Sequence, residues 1–298
     1  MRKTVKTWST PVENERRRQI PCALCGKNVF KPALKCGGFS YVRCGNCGLV
    51  QINPQPLPSE IAARYGEAHG NDYLSYELNN EANFLRLQEL ALTDAGFFTL
   101  EKELLQNSND PRIIDIGCAT GTLLEKLRER GWNCTGVEIS PSAEYAQKNR
   151  RLDVRSTPFE KCGFPDGSFD VLLASHLIEH LNDPSLFVSE AYRALGAAGR
   201  IYITTPNIAG FQARLFRGRW RSAIFDHLYL FSLRTLSRLL EKHGFVIEKH
   251  VTWGGLAAGI APLPLKRIAD RAAKRFGFGD VMLLRGRKIQ PASGEASI

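Results

Sequence analysis

The stretch Asp115-Ile-Gly-Cys-Ala-Thr-Gly121 decides the fold, because it ends a short apolar run that begins after Arg112 and leads directly into an amphipathic stretch at 121–130. Glycines at a strand-to-helix turn let a ligand approach the backbone, and the first strand of a doubly wound sheet brings this turn to the ligand crevice. Ala119 interrupts the glycine pattern of a dinucleotide-binding turn. The turn therefore favours an adenosine ligand without phosphates.

Short apolar runs alternate with amphipathic stretches on both sides of this turn, which is the pattern of a parallel α/β sheet. The predicted strands are 113–116, 134–137, a run that ends near 157–160, 169–174, 200–204 and 245–251. The predicted helices are 79–106, 121–130, 141–150, 184–195 and 232–243. Ligands of such sheets bind at the carboxyl ends of the strands, so the residues that follow each strand are the first candidates for a site.

Acidic and aromatic residues stand at the ends of the second and third predicted strands. Glu138 can accept hydrogen bonds from both hydroxyls of a ribose, as an acid does at this position of doubly wound sheets. Phe159 and Glu160 can flank or hydrogen-bond an adenine, although a lone ring or acid can equally belong to the core or the surface. The predicted cofactor contacts are Asp115, Gly117, Cys118, Ala119, Gly121, Glu138, Ile139, Phe159, Glu160 and Ser175.

Four of the eight cysteines form two close pairs, Cys22-Ala-Leu-Cys25 and Cys44-Gly-Asn-Cys47. The spacing C-x2-C, about 15 to 20 residues, C-x2-C is typical of a zinc site. Four thiolates close a tetrahedron, so the ion would stabilise a small fold and leave no open position for chemistry. The alternatives are disulfides, which a cytosolic chain disfavours, or free thiols.

The length of 298 residues exceeds the size at which one core usually stops growing, so a main domain with an appendage is expected. The first 18 residues are polar and no apolar stretch is long enough to span a membrane, which predicts a cytoplasmic protein. The predicted units are an N-terminal extension with the ribbon at 1–52, a proline-rich linker at 53–78, the main domain at 79–288 and a disordered tail at 289–298.

Further motifs allow a resemblance to be named. The turn at 115–121 and Glu138, together with Phe164-Pro-Asp-Gly-Ser-Phe-Asp170, Ile178-Glu-His-Leu181 and Thr205-Pro-Asn207, resemble class I S-adenosylmethionine (SAM) methyltransferases over about residues 70–288. Versions with an N-terminal zinc ribbon occur in this family. The resemblance implies a Rossmann-like, seven-stranded, mostly parallel sheet whose last two strands, 245–251 and 280–286, form an antiparallel hairpin. It also implies that Gly117 and Gly121 lie under the methionine part of SAM.

Histidines follow the fourth predicted strand in Ser175-His-Leu-Ile-Glu-His180. Methyl transfer from a sulfonium is an in-line displacement, so a base is needed only if the acceptor carries a proton. His176 or His180 could take a hydroxyl proton, and His227 could project into the same cleft. Some ubiquinone-pathway and small-RNA methyltransferases hold a divalent metal with a similar acid-x-x-Glu-His group. A metal, a histidine base and a purely structural role for the pair stay open.

Basic residues concentrate in 1–50 and 211–288, although the whole chain carries a net charge of +10. Arginines alternate with aromatic residues in 211–221, and this mixture suits phosphate binding and stacking on an acceptor, with Arg217 and Trp220 as the predicted contacts. An exposed basic loop is the alternative. Residues 256–276 join an apolar segment to a basic amphipathic helix, which could rest on an anionic membrane or pack on the hairpin.

These observations predict a SAM-dependent enzyme that methylates oxygen, nitrogen or carbon of a small metabolite, one that is sugar-, nucleotide- or lipid-linked. A second hypothesis is an RNA methyltransferase whose ribbon and basic loop hold phosphates. A third is a module that binds SAM without turnover, which the intact glycines and Glu138 disfavour.

Overall fold

The computed structural model describes residues 16–64, 67–255 and 263–289. The amino-terminal part begins with five short strands, which are β1 (Arg17–Arg18), β2 (Phe30–Cys36), β3 (Phe39–Cys44), β4 (Val50–Ile52) and β5 (Gln55–Pro56). Three helices follow, which are α1 (Pro58–Arg64), α2 (Glu67–Ala95) and α3 (Phe97–Asn107). The helix predicted at 79–106 is thus two helices, because Gly96 adopts a left-handed backbone with φ of 77° and interrupts the first.

Strands and helices then alternate to the end of the described chain. In chain order they are β6 (Arg112–Ile116), α4 (Thr122–Glu129), β7 (Asn133–Val137), α5 (Ser142–Arg150), β8 (Asp153–Arg155), β9 (Phe169–Ser175), α6 (Pro184–Ala194), β10 (Leu195–Pro206), α7 (Phe211–Phe216), β11 (Tyr229–Leu230), α8 (Leu233–Lys242), β12 (Phe245–Trp253), α9 (Leu263–Phe276) and β13 (Val281–Lys288). The prediction that the third strand ends near 157–160 is wrong. It ends at Arg155, and after Pro158, which has no N–H for the ladder, residues Phe159–Lys161 form a 3-10 turn.

Seven strands form one sheet in the order β12-β13-β10-β9-β6-β7-β8. Strand β13 is antiparallel to both of its neighbours, and the other pairs are parallel. The predicted Rossmann-like sheet with an antiparallel hairpin at its end is therefore confirmed. The carboxyl ends of β6, β7, β9 and β10 lie at one edge, where the candidate site residues are gathered.

Alternating side chains of the sheet belong to two hydrophobic cores. In β9, Val171 and Leu173 pack with α3, α4 and α5, whereas Leu172 and Ala174 pack with α6 and α8. This alternation is what a strand buried on both faces requires. Within the described ranges, no helix combines the length and apolar character needed to span a bilayer.

A second sheet joins the cysteine-rich segment to the larger domain in the order β11-β4-β3-β2. Its edge strand β11 comes from the region between β10 and α8, and Tyr229 pairs with Gln51. The side chains of Cys22, Leu24 and Leu49 belong to the same core as α8. The ribbon therefore shares a core with the methyl-transfer domain, although the predicted division of the chain into units stays a prediction.

Some predicted segments have structure of their own and others fall outside the described residues. The predicted linker at 53–78 contains β5, α1 and the first turns of α2, and β5 pairs with β1. Residues 256–262 of the predicted membrane-contacting segment, and 290–298 of the predicted tail, lie outside the described ranges.

Candidate active site

The turn after β6 has the backbone that its glycines predict. Gly117 and Gly121 have φ of 75° and 77°, and Ala119 between them also has a positive φ of 50°. The Gly117 amide donates to the carbonyl of Val137 at 2.7 Å, which fixes the turn against β7. A Cβ on Gly121 would lie 2.5 Å from a methyl of Leu152, so position 121 requires glycine for both space and conformation.

Glu138 links this turn to the end of β7. Its carboxylate accepts hydrogen bonds from the amide of Ala119 at 3.1 Å and from the amide of Ser140 at 2.8 Å. The side chain is only partly buried, and a carboxylate has lone pairs left for ribose hydroxyls. The neighbouring Ile139 is 47% exposed and leaves an apolar surface next to the carboxylate. These features fit an adenosine ligand.

Asp115 is buried at the end of β6, and its Oδ1 has no hydrogen-bond partner among the described residues. Burial, together with the nearby negative charge of Glu138, raises its pKa to about 8. A buried polar atom without a hydrogen-bond partner lowers the stability of the fold, and a polar ligand that bonds to Asp115 would remove this cost. The available lone pairs of Glu138 and the Oδ1 of Asp115, unpaired among the described residues, are thus two features of the site that fit SAM.

Acidic side chains of α2 also reach this edge, and the sequence analysis did not single them out. Glu77 is buried and accepts a hydrogen bond from the hydroxyl of Ser142, and burial raises its pKa to about 7. Glu81 accepts hydrogen bonds from Thr120 at 3.1 Å and from Arg150. Helix α2 therefore packs over the turn. The spacing of the apolar residues in α2 predicts a helix, but it does not show which edge of the sheet this helix contacts.

The remaining predicted cofactor contacts are less accessible. The ring of Phe159 is buried, with ring centroids 6.2 Å from Phe164 and 5.8 Å from Phe187, so it packs as a core residue. Glu160 is partly buried in the 3-10 turn, and burial raises its pKa. Cys118 is buried below the turn. Contact of these residues and of Ser175, at the end of β9, with SAM stays a prediction.

His176 and Glu179 form a pair directly after β9. His176 Nδ1 lies 3.3 Å from Glu179 Oε1, and Thr205 donates to Glu179 Oε2 at 2.8 Å. The backbone of His176 is left-handed with φ of 53°, which is unusual for a residue with a side chain. Although burial alone would raise it, the hydrogen bond and charge of His176 lower the pKa of the fully buried Glu179 to about 2. Glu179 is therefore an anion that orients His176.

His227 completes this cluster from a distant part of the chain. Its ring lies 4.7 Å from that of His180, edge to face, and its Nδ1 lies 2.8 Å from the carbonyl of Ser222. Burial and the neighbouring His180 lower the pKa of His227 to about 3. A neutral ring that donates from Nδ1 leaves Nε2 as an acceptor. The structure thus brings together the three predicted catalytic histidines.

A metal is compatible with part of this cluster. Ligand atoms of Glu179, His180 and His227 all lie within 4.8 Å of one another. Two imidazoles and a carboxylate suit zinc, iron or manganese better than magnesium, which prefers oxygen ligands.

The ribbon supports the segment that carries His227. The hydroxyl of Tyr41, which is buried in β3, lies 2.7 Å from the carbonyl of Ile224 and 2.8 Å from the carbonyl of His227. The amide of Ile52 donates to the carbonyl of Leu228 at 2.9 Å. One side of the histidine cluster is therefore supported by the ribbon. The sequence carried no signal for this role of Tyr41, because its partner lies 186 residues away.

The predicted stacking role of Trp220 is wrong. Its side chain is 2% exposed and its indole N–H donates to the buried carboxylate of Asp280 at 2.5 Å. The ring packs with Phe39 and Tyr41 of the ribbon, so no face is left for an acceptor. Arg217 is exposed, in a short turn after α7, and its contact with an acceptor stays a prediction.

The four cysteines of the two pairs meet in one cluster. The sulfur of Cys22 lies 3.4 Å from that of Cys47, and the sulfur of Cys25 lies 3.5 Å from that of Cys44. A tetrahedral zinc with bonds of about 2.3 Å separates its sulfur ligands by about 3.8 Å. All eight cysteines, which lie within the described ranges, are free of disulfides. The geometry of the cluster fits zinc.

Residues 90–250, more than half of the chain, match the family described as "Methyltransferase domain". The chain belongs to this methyltransferase family. The methyltransferase is 27% identical over 144 residues to a ubiquinone biosynthesis O-methyltransferase of Bartonella tribocorum, covering 43% of this chain and 58% of the relative. The chain spans about half the length of the curated relatives it matches.

Two solved structures share the fold of this methyltransferase. A SAM-dependent methyltransferase from Thermotoga maritima has a TM-score of 0.52 at 24% identity, covering 77% of this chain and 98% of that one. A chain of the complex between the Haloferax volcanii Trm112 methyltransferase activator and a methyltransferase has a TM-score of 0.51 at 16% identity, covering 78% and 98%. With the family match, the fold makes this chain a class I SAM-dependent methyltransferase.

Proposed function

We propose that this methyltransferase transfers the methyl group of SAM to a hydroxyl group of a small molecule. The observation that carries the proposal is the cluster of His176, Glu179, His180 and His227 at the same sheet edge as the cofactor turn. SAM supplies an electrophilic methyl group. As the hydroxyl oxygen forms its bond to the methyl carbon, the carbon–sulfur bond breaks and the hydroxyl proton passes to a histidine.

His176 is the proposed base. Its side chain is half-exposed, whereas Glu179 beneath it is fully buried and ionised, so the carboxylate orients the ring and stabilises the imidazolium that forms. His227 is neutral throughout the physiological range and offers a second acceptor nitrogen. If Glu179, His180 and His227 bind a metal, the ion would instead lower the pKa of the bound hydroxyl group. The two mechanisms differ in their response to a chelator that leaves the ribbon zinc in place.

The names of relatives support an oxygen acceptor. The curated relatives include ubiquinone biosynthesis O-methyltransferases from several organisms, whose printed name states transfer to oxygen. This chain is less than 30% identical to these relatives over about half of their length. The likeness therefore supports oxygen as the acceptor atom more than it supports any particular acceptor molecule.

The cysteine cluster is proposed to hold one structural zinc ion. Each pair is a tight turn in which the amide of Gly26 or Gly48 bonds back to the carbonyl of the first cysteine, at 2.8 and 3.0 Å. Both glycines have a positive φ, which such turns require. Four thiolates leave no open coordination position, so this ion would shape the ribbon and take no part in methyl transfer.

The test uses SAM labelled in its methyl group and fractionated cell extract. The full-length protein should label a small organic product whose methyl group is ether-linked. His176→Gln should lower this transfer at least about 100-fold, with unchanged affinity for the product S-adenosylhomocysteine, whereas His250→Gln, on an exposed strand, should transfer at the wild-type rate. Loss of transfer on chelation in a protein that keeps its ribbon zinc by metal analysis, with recovery by added manganese, would favour the metal. Label in RNA, or no transfer to any fraction, would contradict the proposal.

A further inference from the structure

Two neighbouring helices expose apolar side chains on the acceptor side of the fold. Phe211 and Leu215 on α7, and Ile268 and Phe276 on α9, are between 43% and 67% exposed. Side chains of this size at such exposure are ordinary when single, but a contiguous group indicates an interaction surface.

The start of α7 is hydrogen-bonded to the segment that follows α9. The amide of Phe211 donates to the carbonyl of Phe278 at 2.9 Å, and the rings of Phe276 and Phe278 stack at 5.8 Å with an interplanar angle of 2°. Residues 211 and 215 share a face of α7, Ile268 lies on the side of α9 opposite the buried Ala273, and Phe276 is exposed at the end of α9. These four exposed side chains, on helices linked through Phe278, are here named the α7–α9 face.

Basic side chains surround this surface. Residues 211–225 contain four arginines and no aspartate or glutamate. Arg214, Arg217 and Arg219 are exposed, whereas Arg221 is paired with the buried carboxylate of Asp280. On α9, Arg271 and Arg275 are exposed beside Ile268. The carboxylate of the same helix, Asp270, points the other way and is bound by Lys266 and by the amide of Gly255. The two helices and the turn after α7 thus expose large apolar side chains together with an excess of arginines.

We propose that the α7–α9 face docks the protein on an anionic lipid bilayer. Apolar side chains that enter the headgroup region, with arginines on lipid phosphates, are the mixture that binds a membrane surface. RNA is a poorer partner because Leu215 and Ile268 have no ring to stack on bases. A second copy of this chain would bring like charges together. The negative charge of an anionic bilayer favours it over a second copy of this chain, and the aliphatic side chains favour it over RNA.

The position of the face extends the proposed function. Helix α7 begins five residues after Pro206, the last residue of β10, and the segment that follows it leads through Ser222 to His227. A bilayer against this face would thus lie beside the histidine cluster. Only this step, from the position of the face to the acceptor, rests on the proposed function. It implies that the acceptor is dissolved in the bilayer or attached to a lipid.

Flotation of the full-length protein with vesicles tests the proposal without any acceptor. The protein should float with vesicles of phosphatidylglycerol and phosphatidylcholine, bind pure phosphatidylcholine at least about tenfold less, and dissociate as salt rises. A variant with Phe211→Ser, Ile268→Ser and Phe276→Ser should lose most binding at unchanged salt dependence. Arg214→Glu with Arg275→Glu should weaken it by more than the roughly fivefold expected for each lost arginine.

A matched control variant, Leu87→Ser with Leu90→Ser, changes two comparably exposed apolar residues on α2 and should float like the wild type. Equal losses in the control and the face variants would overturn the proposal, as would tight binding to a single-stranded RNA oligonucleotide without flotation. Absence of flotation in a protein that still methylates a hydroxyl acceptor would reject the membrane surface and leave the proposed reaction standing.

Discussion

Two neighbouring parts of the same sheet edge are built differently. They are the cofactor edge, around the turn at 115–121 and Glu138, and the proposed acceptor edge, around the histidine cluster. The cofactor edge is centred on one short stretch, in which the turn at 115–121 is held by Glu138 after the next strand, and α2 packs over it. The acceptor edge combines residues that follow β9, lie in β10 or precede β11, and one of its supports is the ribbon residue Tyr41 of β3. A local motif therefore specifies one edge, whereas tertiary contacts between distant segments assemble the other.

Removal of the ribbon metal should affect the two edges most unequally. Cys22→Ser with Cys44→Ser should remove the metal, whose binding free energy in small zinc folds is about 10 to 16 kcal/mol. Hydrogen exchange should then rise far more at 222–231 than at 113–121, because Tyr41 and β4 no longer hold the first segment. Metal analysis should find about one zinc per wild-type chain and none in the variant.

Cys36→Ser is the matched control, since Cys36 lies in the ribbon hairpin outside the cluster and should keep both zinc and protection. An equal loss of protection at 113–121 would mean that the two edges unfold as one unit, and the contrast between them would then fail.

The buried acid of the cofactor edge should make stability depend on pH. The pKa of Asp115 is raised from 3.8 to about 8, so the folded protein keeps a proton that the unfolded chain releases between these values. Its contribution to the free energy of unfolding is present below pH 4 and is lost at about 1.4 kcal/mol per unit as pH rises toward 8. Asp115→Asn should remove this slope, as urea unfolding at pH 5 and pH 8 would reveal. Asp153→Asn, on an exposed residue, should retain it.

Substitution of Glu138 should weaken cofactor binding and leave the acceptor edge almost unchanged. Glu138→Ala removes a charged acceptor from two backbone amides and from a ribose, so calorimetry should show S-adenosylhomocysteine binding weakened by about 3 kcal/mol. Glu144→Ala, at an exposed acid on α5, is the control. Unchanged affinity in Glu138→Ala would refute the adenosine site.

The hydroxyl of Tyr41 should have the smallest effect and the most selective one. Tyr41→Phe removes one buried hydrogen-bond donor, which costs about 1 kcal/mol of stability. Methyl transfer should fall about fivefold at that free-energy difference, and the imidazole nitrogen signals of His227 should shift in spectra of the nitrogen-15-labelled protein. Zinc content and S-adenosylhomocysteine affinity should not change. Tyr192→Phe, which removes a hydroxyl bonded to Ile289 away from the site, should leave the His227 signals in place.

The parts that sequence reasoning predicted correctly depend on local rules. The turn at 115–121 needs glycine where the backbone is left-handed, and the paired cysteines have the spacing of a knuckle, so both are readable from neighbouring residues. The prediction for Trp220 failed because arginine–aromatic alternation is the same for an exposed loop and for one that buries its ring. Its partner, Asp280, lies 60 residues further along the chain.

The sequence alone determined the SAM-type sheet, its cofactor turn and the cysteine cluster, because strand periodicity, glycine conformation and ligand spacing act over a few residues. Only the tertiary structure decided that the ribbon shares a core with the sheet and supports His227. It also decided that Glu179 is a buried anion, since burial, hydrogen bonding and pKa depend on which distant segments fold together.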